Sequence, residues 1–282
     1  MEADTAVYLA LLDRPEIAHD MEGGNLQVLF ACESGSRAWE FQSSDSDYDI
    51  RFVYSRPNLW YLALEARPDN IQVKQFDHKG TPVDAVGWDI QKFLKLARKS
   101  NASAYEWVFG CPAYYKVPWW DQIIKSLLAD NVDYYRIAAH HRGLAHEHDR
   151  KYLERREVVS IKKYLYTIRS LLNFFWYYRV ARTRIFSGFA PITLSQLVND
   201  NKELSYDMRR RINDLIIMKI GGTEDINIQK HYKLEGDLDT LLNRADSLVM
   251  QTSELPSWNM YNAAFRAVQA LTFMQNWREL NE

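Results

Sequence analysis

The first chemical signal in the chain is the segment Cys32–Tyr54, CESGSRAWEFQSSDSDYDIRFVY. A short apolar run, Leu26–Cys32, reads as a buried strand and leads into Gly35-Ser36. An amphipathic link with Trp39 and Phe41 follows, and Ser46-Asp47-Tyr48-Asp49 opens the next strand. Residues two apart on a strand point to one face, so Asp47 and Asp49 present two carboxylates side by side. Carboxylates that close repel, and each resists ionising until a cation offsets the charge. Mg²⁺ suits the place, because it prefers a few carboxylates with phosphate oxygens and water, and Mn²⁺ shares the taste for oxygen. Gly35 lets the backbone approach a ligand closely, and Ser36 adds a hydroxyl and an N–H at a helix start. Arg37 follows directly and could reach a phosphate. A phosphate-binding turn beside an acid pair is the equipment of nucleotidyl transfer, in which divalent ions bridge a triphosphate and neutralise developing charge. Alone, Asp-x-Asp also serves to cap and solubilise turns. Specificity comes from the combination: strand, Gly-Ser, twelve residues from Gly35 to Asp47, then entry into an apolar strand.

The elements that must position these residues lie mostly before residue 120. In Asp49–Tyr54, Ile50, Phe52 and Tyr54 share one face, and Asp49, Arg51 and Val53 share the other. Ile71–Phe76 and Pro82–Val86 flank the turn Asp77-His78-Lys79-Gly80 and read as a hairpin. Asp89 is placed to N-cap a helix over 90–99, with Ile90, Phe93, Leu94 and Ala97 apolar. A second helix covers 103–109, and Pro112 and Pro118 punctuate a connector. Beyond 120 the spacing is helical, over 120–128, 134–151, 157–180, 193–200, 206–219, 236–250 and 259–279. In 157–180 the residues Val158, Ile161, Leu165, Ile168, Leu172 and Phe175 form an apolar stripe, with Lys162, Lys163 and Arg169 off it. The fold class is therefore α+β: a small mixed sheet with helices over 1–118, then a helical bundle over 119–282.

The string GSRAWEFQSSDSDYDIRFVY resembles the signature of the polymerase-β-type nucleotidyltransferase superfamily, Gly-Ser followed by Asp-x-Asp and later by a third strand carboxylate. With VGWDIQKFLKLARKSNASAYEWV and IKKYLYTIRSLLNFFWYYR, it is similar to a narrower group, the nucleotidyltransferases of bacteria and phages associated with RNA ligases. The resemblance runs from about residue 28 to 180, and more weakly to about 200. It implies that Asp84, flanked by Val83 and Ala85, completes a metal site with Asp47 and Asp49 and could serve as general base. Asp89 competes for that role, but capping accounts for it. The family block Lys-Lys-Tyr-Leu-Tyr coincides with the basic helix face, so Lys163 and Tyr164 join Gly35, Ser36 and Arg37 as nucleotide contacts. The other reading of Tyr164 is that it belongs to the apolar stripe. One departure is Glu40, which follows Trp39 where the family pattern often has Gly. The implied reaction is Mg²⁺- or Mn²⁺-dependent transfer of NMP from an NTP, ATP being the expected donor, with release of pyrophosphate. The acceptor implied is RNA, such as a tRNA or RNA end in repair, and a protein hydroxyl or small molecule would use the same constellation. The alternative is a catalytically silent nucleotide- or RNA-binding module or an antitoxin-like partner.

Composition narrows the setting. With 47% hydrophobic and 26% charged residues in 282, the chain is neither disordered, collagen-like nor a coiled-coil rod. Two cysteines, Cys32 and Cys111, cannot make a disulfide framework and point to a reducing compartment. The acidic N-terminus reads as no signal peptide, and no stretch is apolar enough for a membrane span, so a cytoplasmic protein is expected. The net charge of −2 conceals an asymmetry: eleven acids and two bases in 1–50, twelve bases and four acids in 136–184. Such opposition suits two faces of a site, or a site with an anionic ligand, or solvated helix surface. His140, Arg142, His148, Arg150 and Lys151 could bind RNA or phosphate. His146 and His148 lie two apart on a helix, on different faces, which argues against zinc. Trp119-Trp120 and Phe174–Tyr178 read as core.

Overall fold

The computed structural model of the chain describes residues 5–18, 26–183 and 188–279. Helices α1 (Thr5–Leu12) and α2 (Pro15–Ala18) precede strand β1 (Gln27–Glu33), which leads through α3 (Gly35–Ala38) to β2 (Tyr48–Ser55). The expected hairpin is β3 (Asn70–His78) and β4 (Thr81–Asp89). A fifth strand, β5 (Ala113–Lys116), lies in the Pro-punctuated segment that reads as a connector, where it pairs with β1 as an edge. The order is β3-β4-β2-β1-β5; β2 and β4 run parallel and the other neighbours antiparallel.

Strict alternation gives each face of the sheet its own core. Ile50, Phe52 and Tyr54 of β2 and Val83 and Ala85 of β4 pack with Val7, Tyr8, Leu11 and Ile17 of α1 and α2. The opposite face carries Asp49, Arg51 and Val53 of β2 and Asp84, Val86 and Trp88 of β4. It looks toward α4 (Ile90–Arg98), α5 (Ala102–Phe109) and the helical half. Asp89 caps α4 as expected, its Oδ1 accepting from the Gln91 N–H at 2.7 Å, while the Tyr61 hydroxyl donates to its Oδ2 at 2.8 Å.

The helical half comprises α6 (Ser126–Asp130), α7 (Tyr134–His148), α8 (Ile161–Thr183), α9 (Leu194–Asp200), α10 (Tyr206–Ile220), α11 (Tyr232–Ser247) and α12 (Trp258–Glu279). One π-helical turn, Asp121–Lys125, precedes α6, and a second, Asp149–Leu153, extends α7. Ile161, Leu165, Ile168, Leu172 and Phe175 are buried along α8, as their spacing predicts. Val158 departs from that stripe. The β-branched pair Val158-Val159 belongs to a short strand, β6 (Val158–Ser160), paired antiparallel with β7 (Asn227–Gln229), and the helix begins at Ile161. The helices share a core with the sheet, for example where Trp120 stacks on Phe30 with ring centres 4.9 Å apart. α12 returns to the N-terminal unit, where Gln269 donates to the Ser55 hydroxyl at 2.7 Å. Cys32 and Cys111 are buried and unbridged. Among the described residues no helix is long and apolar enough to cross a membrane.

Candidate active site

The parallel pairing of β2 with β4 places Asp49 directly opposite Asp84. Arg51, two residues beyond Asp49 and on the same face, joins the pair. Its Nη2 donates to Asp49 Oδ1 at 3.1 Å and its Nη1 to Asp84 Oδ2 at 2.9 Å. Gln72 on β3 donates to Asp84 Oδ1 at 3.0 Å. Asp47 lies one residue ahead of β2, at the end of the loop rather than within the strand. Burial pushes the Asp49 carboxyl above its usual range; Arg51 opposes the shift, and Asp84 and Asp47 add to it. Asp47 is raised as well, by burial first and then by the negative charge of Glu224.

Local backbone structure explains how these acids are held. Gly35 has φ +63° and abuts Asp49 so closely that a Cβ there would stand 1.9 Å from Asp49 Oδ2. The Asp49 N–H donates to Glu33 Oε1 at 2.9 Å, and the Tyr114 hydroxyl donates to Oε2 of the same buried carboxylate. Ser36 is buried in the single turn of α3. Its carbonyl accepts from the Phe41 N–H at 3.1 Å, and the Arg37 carbonyl accepts from the Glu40 N–H at 3.2 Å. That pair of bonds is a Schellman ending, whose left-handed position normally falls to Gly. Glu40 occupies it with φ 59°. Arg37 grips the loop instead of standing open for phosphate. Its Nε donates to the carbonyl of Asp47 at 3.0 Å, its Nη2 to that of Ser46 at 2.6 Å, and it lies 4.1 Å over the Tyr48 ring.

The helical half contributes a cluster of charge beside the loop. Glu224, between α10 and β7, receives Lys219 Nζ at 2.7 Å and the Ser46 hydroxyl at 2.6 Å on Oε2, and pairs with Lys162 through Oε1. Its own N–H donates to Asp45 at 2.9 Å. Lys219 is fully buried and also donates to Ser43 Oγ at 2.7 Å. Burial works against the Glu224 charge, but bonds from Lys162, Lys219 and Ser46 hold its pKa at about 2.

The side chains expected from α8 meet different partners. Lys162 pairs with Glu224, and its charge acts on Asp47 and Asp49. Lys163 lies over the Tyr152 ring at 4.3 Å and 5.7 Å from the Tyr166 ring. Tyr164 is fully buried and its hydroxyl donates to Glu235 Oε1 at 2.6 Å, so it belongs to the packing of α8 on α11. The reason is the helical period: successive residues turn by about 100°, and the block Lys162–Tyr164 spans three directions.

A cavity of about 350 Å³ opens on the same face of the sheet as the acids. Ser34, Arg51, Val86 and Trp88 form its floor; Glu106 and Trp107 of α5, His140, His141 and His148 of α7, and Tyr166 and Arg169 of α8 form its walls. Arg169 donates to Glu106 Oε2 at 2.9 Å, Trp39 Nε1 donates to Oε1 at 3.0 Å, and the guanidinium lies 4.1 Å over the Trp39 ring. Trp88 and Trp107 approach to 4.0 Å between ring centres. Of the surrounding basic cluster, His140 and His148 reach this cavity, while Arg142 donates to the Ala245 carbonyl at 3.3 Å and Arg150 and Lys151 are exposed.

Among the described residues no group of three or more His, Cys, Asp or Glu is arranged to hold a metal ion. The chemistry of the donors still suits a hard divalent cation: two carboxylates in register, a third within electrostatic range, and mutual repulsion that a cation relieves. Arg51 supplies the positive charge there. Arg51, Glu33, Lys219 and Glu224 are the site residues that motif reasoning did not select. Arg51 was accessible from its placement on the Asp49 face, whereas Lys219 and Glu224 lie far along the chain with no local signal.

The chain is similar to known proteins. It is 27% identical over 237 residues to the uncharacterized protein YcgL of Bacillus subtilis (strain 168), covering 82% of this chain and 86% of that one. A solved structure, a nucleotidyltransferase-like protein from Exiguobacterium sibiricum 255-15, aligns with 86% of this chain and 75% of its own at 9% identity and a TM-score of 0.31. The profile of the RNA repair pathway DNA polymerase beta family matches residues 8–267, and the chain belongs to that family.

Proposed function

We propose that this member of a polymerase-β nucleotidyltransferase family transfers a nucleoside monophosphate from an NTP, ATP being the expected donor, to a hydroxyl at an RNA end, releasing pyrophosphate. The observation that carries the reading is the register of Asp49 against Asp84 on the sheet face that also floors the cavity. Asp47, Asp49 and Asp84 would hold Mg²⁺ or Mn²⁺. When bound, the ion screens the triphosphate and draws off charge that develops at the α-phosphate. Asp84 is the candidate to accept the proton of the acceptor hydroxyl. The Gly35-Ser36 turn and Lys162 flank the acids and would oppose the remaining phosphate charge. The cavity suits the nucleoside, because Trp88, Trp107 and Tyr166 offer flat apolar faces. The family's place in RNA repair supports RNA as acceptor. Two buried, unbridged cysteines suit the reducing cytoplasm.

The test uses α-³²P-labelled NTPs with Mg²⁺ or Mn²⁺, total RNA and a cell-protein extract, with wild type beside the Asp47→Asn/Asp49→Asn double variant. Label on RNA with wild type alone supports the proposal. Label on protein moves the acceptor to a protein hydroxyl. Nucleotide or RNA binding with no transfer by wild type supports a silent binding module instead.

A further inference from the structure

We infer that Arg51 is a built-in competitor for the divalent cation: its guanidinium fills the place between Asp49 and Asp84, and the ion enters only when it leaves. The inference deepens the proposed function and rests on its assignment of a cation to these acids. Three of the four carboxylate oxygens accept a hydrogen bond. Asp49 Oδ1 and Asp84 Oδ2 accept from Arg51 at 3.1 and 2.9 Å. Asp84 Oδ1 accepts from Gln72 at 3.0 Å. Asp49 Oδ2 lies on the Gly35 side, where a Cβ on that residue would meet it. A hard cation bridging the pair needs an oxygen from each carboxylate, and Arg51 holds one of each. The charges point the same way, since one guanidinium leaves a bridged pair of carboxylates at a net −1, and a divalent ion neutralises both.

The bridge follows from the sequence. Period two puts Arg51 on the face of Asp49, and the parallel register brings Asp84 to the neighbouring strand. A planar fork can serve two carboxylates at once, which an ammonium on a flexible stem does less well. Arg51 also lines the cavity, so a released guanidinium has room on the side where the substrate phosphates arrive. Cation and nucleoside triphosphate would therefore bind cooperatively, the triphosphate receiving the guanidinium that the cation displaces.

Mn²⁺ binding, followed by loss of the free-ion paramagnetic resonance signal, tests this without any turnover. Arg51→Met is expected to bind Mn²⁺ about tenfold more tightly than wild type, the equivalent of losing one charge-assisted competitor. In EDTA the same variant should melt below wild type, and added Mn²⁺ should narrow the gap. Arg51→Lys keeps the charge without the fork and should also bind more tightly than wild type; it serves as the readout if Arg51→Met does not fold. Equal or weaker Mn²⁺ binding by Arg51→Met overturns the inference. So does an Arg51→Lys value equal to wild type, because field rather than occupancy then explains the effect, and so does a lack of Mn²⁺ binding by every variant. Tighter Mn²⁺ binding in a protein that transfers no nucleotide sustains the Arg51 inference while overturning the transferase reading.

Discussion

Asp49 faces Asp84 across the parallel strands β2 and β4, and one arginine, Arg51, binds both carboxylates. Asp49 carries the cost of this arrangement. Burial raises its pKa despite Arg51, so the ionised form is less comfortable in the fold than in water. A group with a raised carboxyl pKa subtracts stability once the pH exceeds its unfolded value, and the loss persists at neutral pH. Asp49→Asn removes that charge at nearly constant shape. It should melt at or above the wild-type temperature in EDTA at pH 7, while nucleotidyl transfer falls at least about a hundredfold. A clear drop in melting temperature would show that the Arg51 bridge outweighs desolvation.

Gly35 is fixed by two constraints at once. Its φ of +63° is left-handed, and Asp49 Oδ2 fills the space where a Cβ would go. Gly35→Ala must strain the turn and push Asp49 off its register with Asp84. The expected cost is about 1–3 kcal/mol in urea unfolding, with transfer lost to a similar degree as in Asp49→Asn. Unchanged stability would mean that α3 relocates without strain.

The strands around the acids were legible because each carries its own signal: alternation in Asp49–Tyr54, the turn Asp77–Gly80, and the cap at Asp89. Helical spacing located α8, but its start was obscured by Val158-Val159, whose partner strand Asn227–Gln229 is about seventy residues away. Distance along the chain also concealed half of the site. Nothing near Ser43 or Ser46 announces that Glu224 will accept from both hydroxyls and that Lys219 will donate to Ser43. Composition could find a basic helix, whereas which lysine of the Lys162-Lys163 pair faces the acids depends on how α8 rolls against the sheet.

That roll separates three neighbours on one helix. Lys162 acts electrostatically on Asp47 and Asp49, Lys163 rests on Tyr152, and Tyr164 bonds to Glu235. Steady-state kinetics should therefore show Lys162→Met with the largest loss in kcat/KM and Lys163→Met close to wild type. Tyr164→Phe should retain transfer while losing about 2 kcal/mol of stability, the usual worth of a hydrogen bond to a charged group. A kinetic defect confined to Lys163→Met would restore the assignment drawn from the family block.

Glu40 holds the left-handed position of the α3 ending with φ 59°. Glycine takes that conformation without the Cβ clash, at some cost in unfolded-state entropy. Glu40→Gly should raise stability by about 1 kcal/mol and leave the acids in place. The variant is checked by thermal unfolding beside transfer activity; a loss of stability would assign Glu40 a side-chain contact that outweighs its strain.

Glu224 ties the Ser43–Asp47 loop to the helical half, and its protonation should loosen that tie. Its pKa falls from the ordinary 4.5 to about 2, because Lys162, Lys219 and Ser46 bond to the ionised form. A depressed carboxyl pKa adds stability that is complete above about pH 4.5 and lost as the pH drops through about 2. The shift corresponds to at most about 3 kcal/mol before screening by solvent reduces it. Glu224→Gln mimics the protonated state. At pH 7 it should be less stable than wild type by about 2 kcal/mol, and the two unfolding curves should converge as the pH falls from about 4.5 toward 2. A difference independent of pH would mean that Glu224 stabilises the loop through shape and neutral hydrogen bonds, not through its charge.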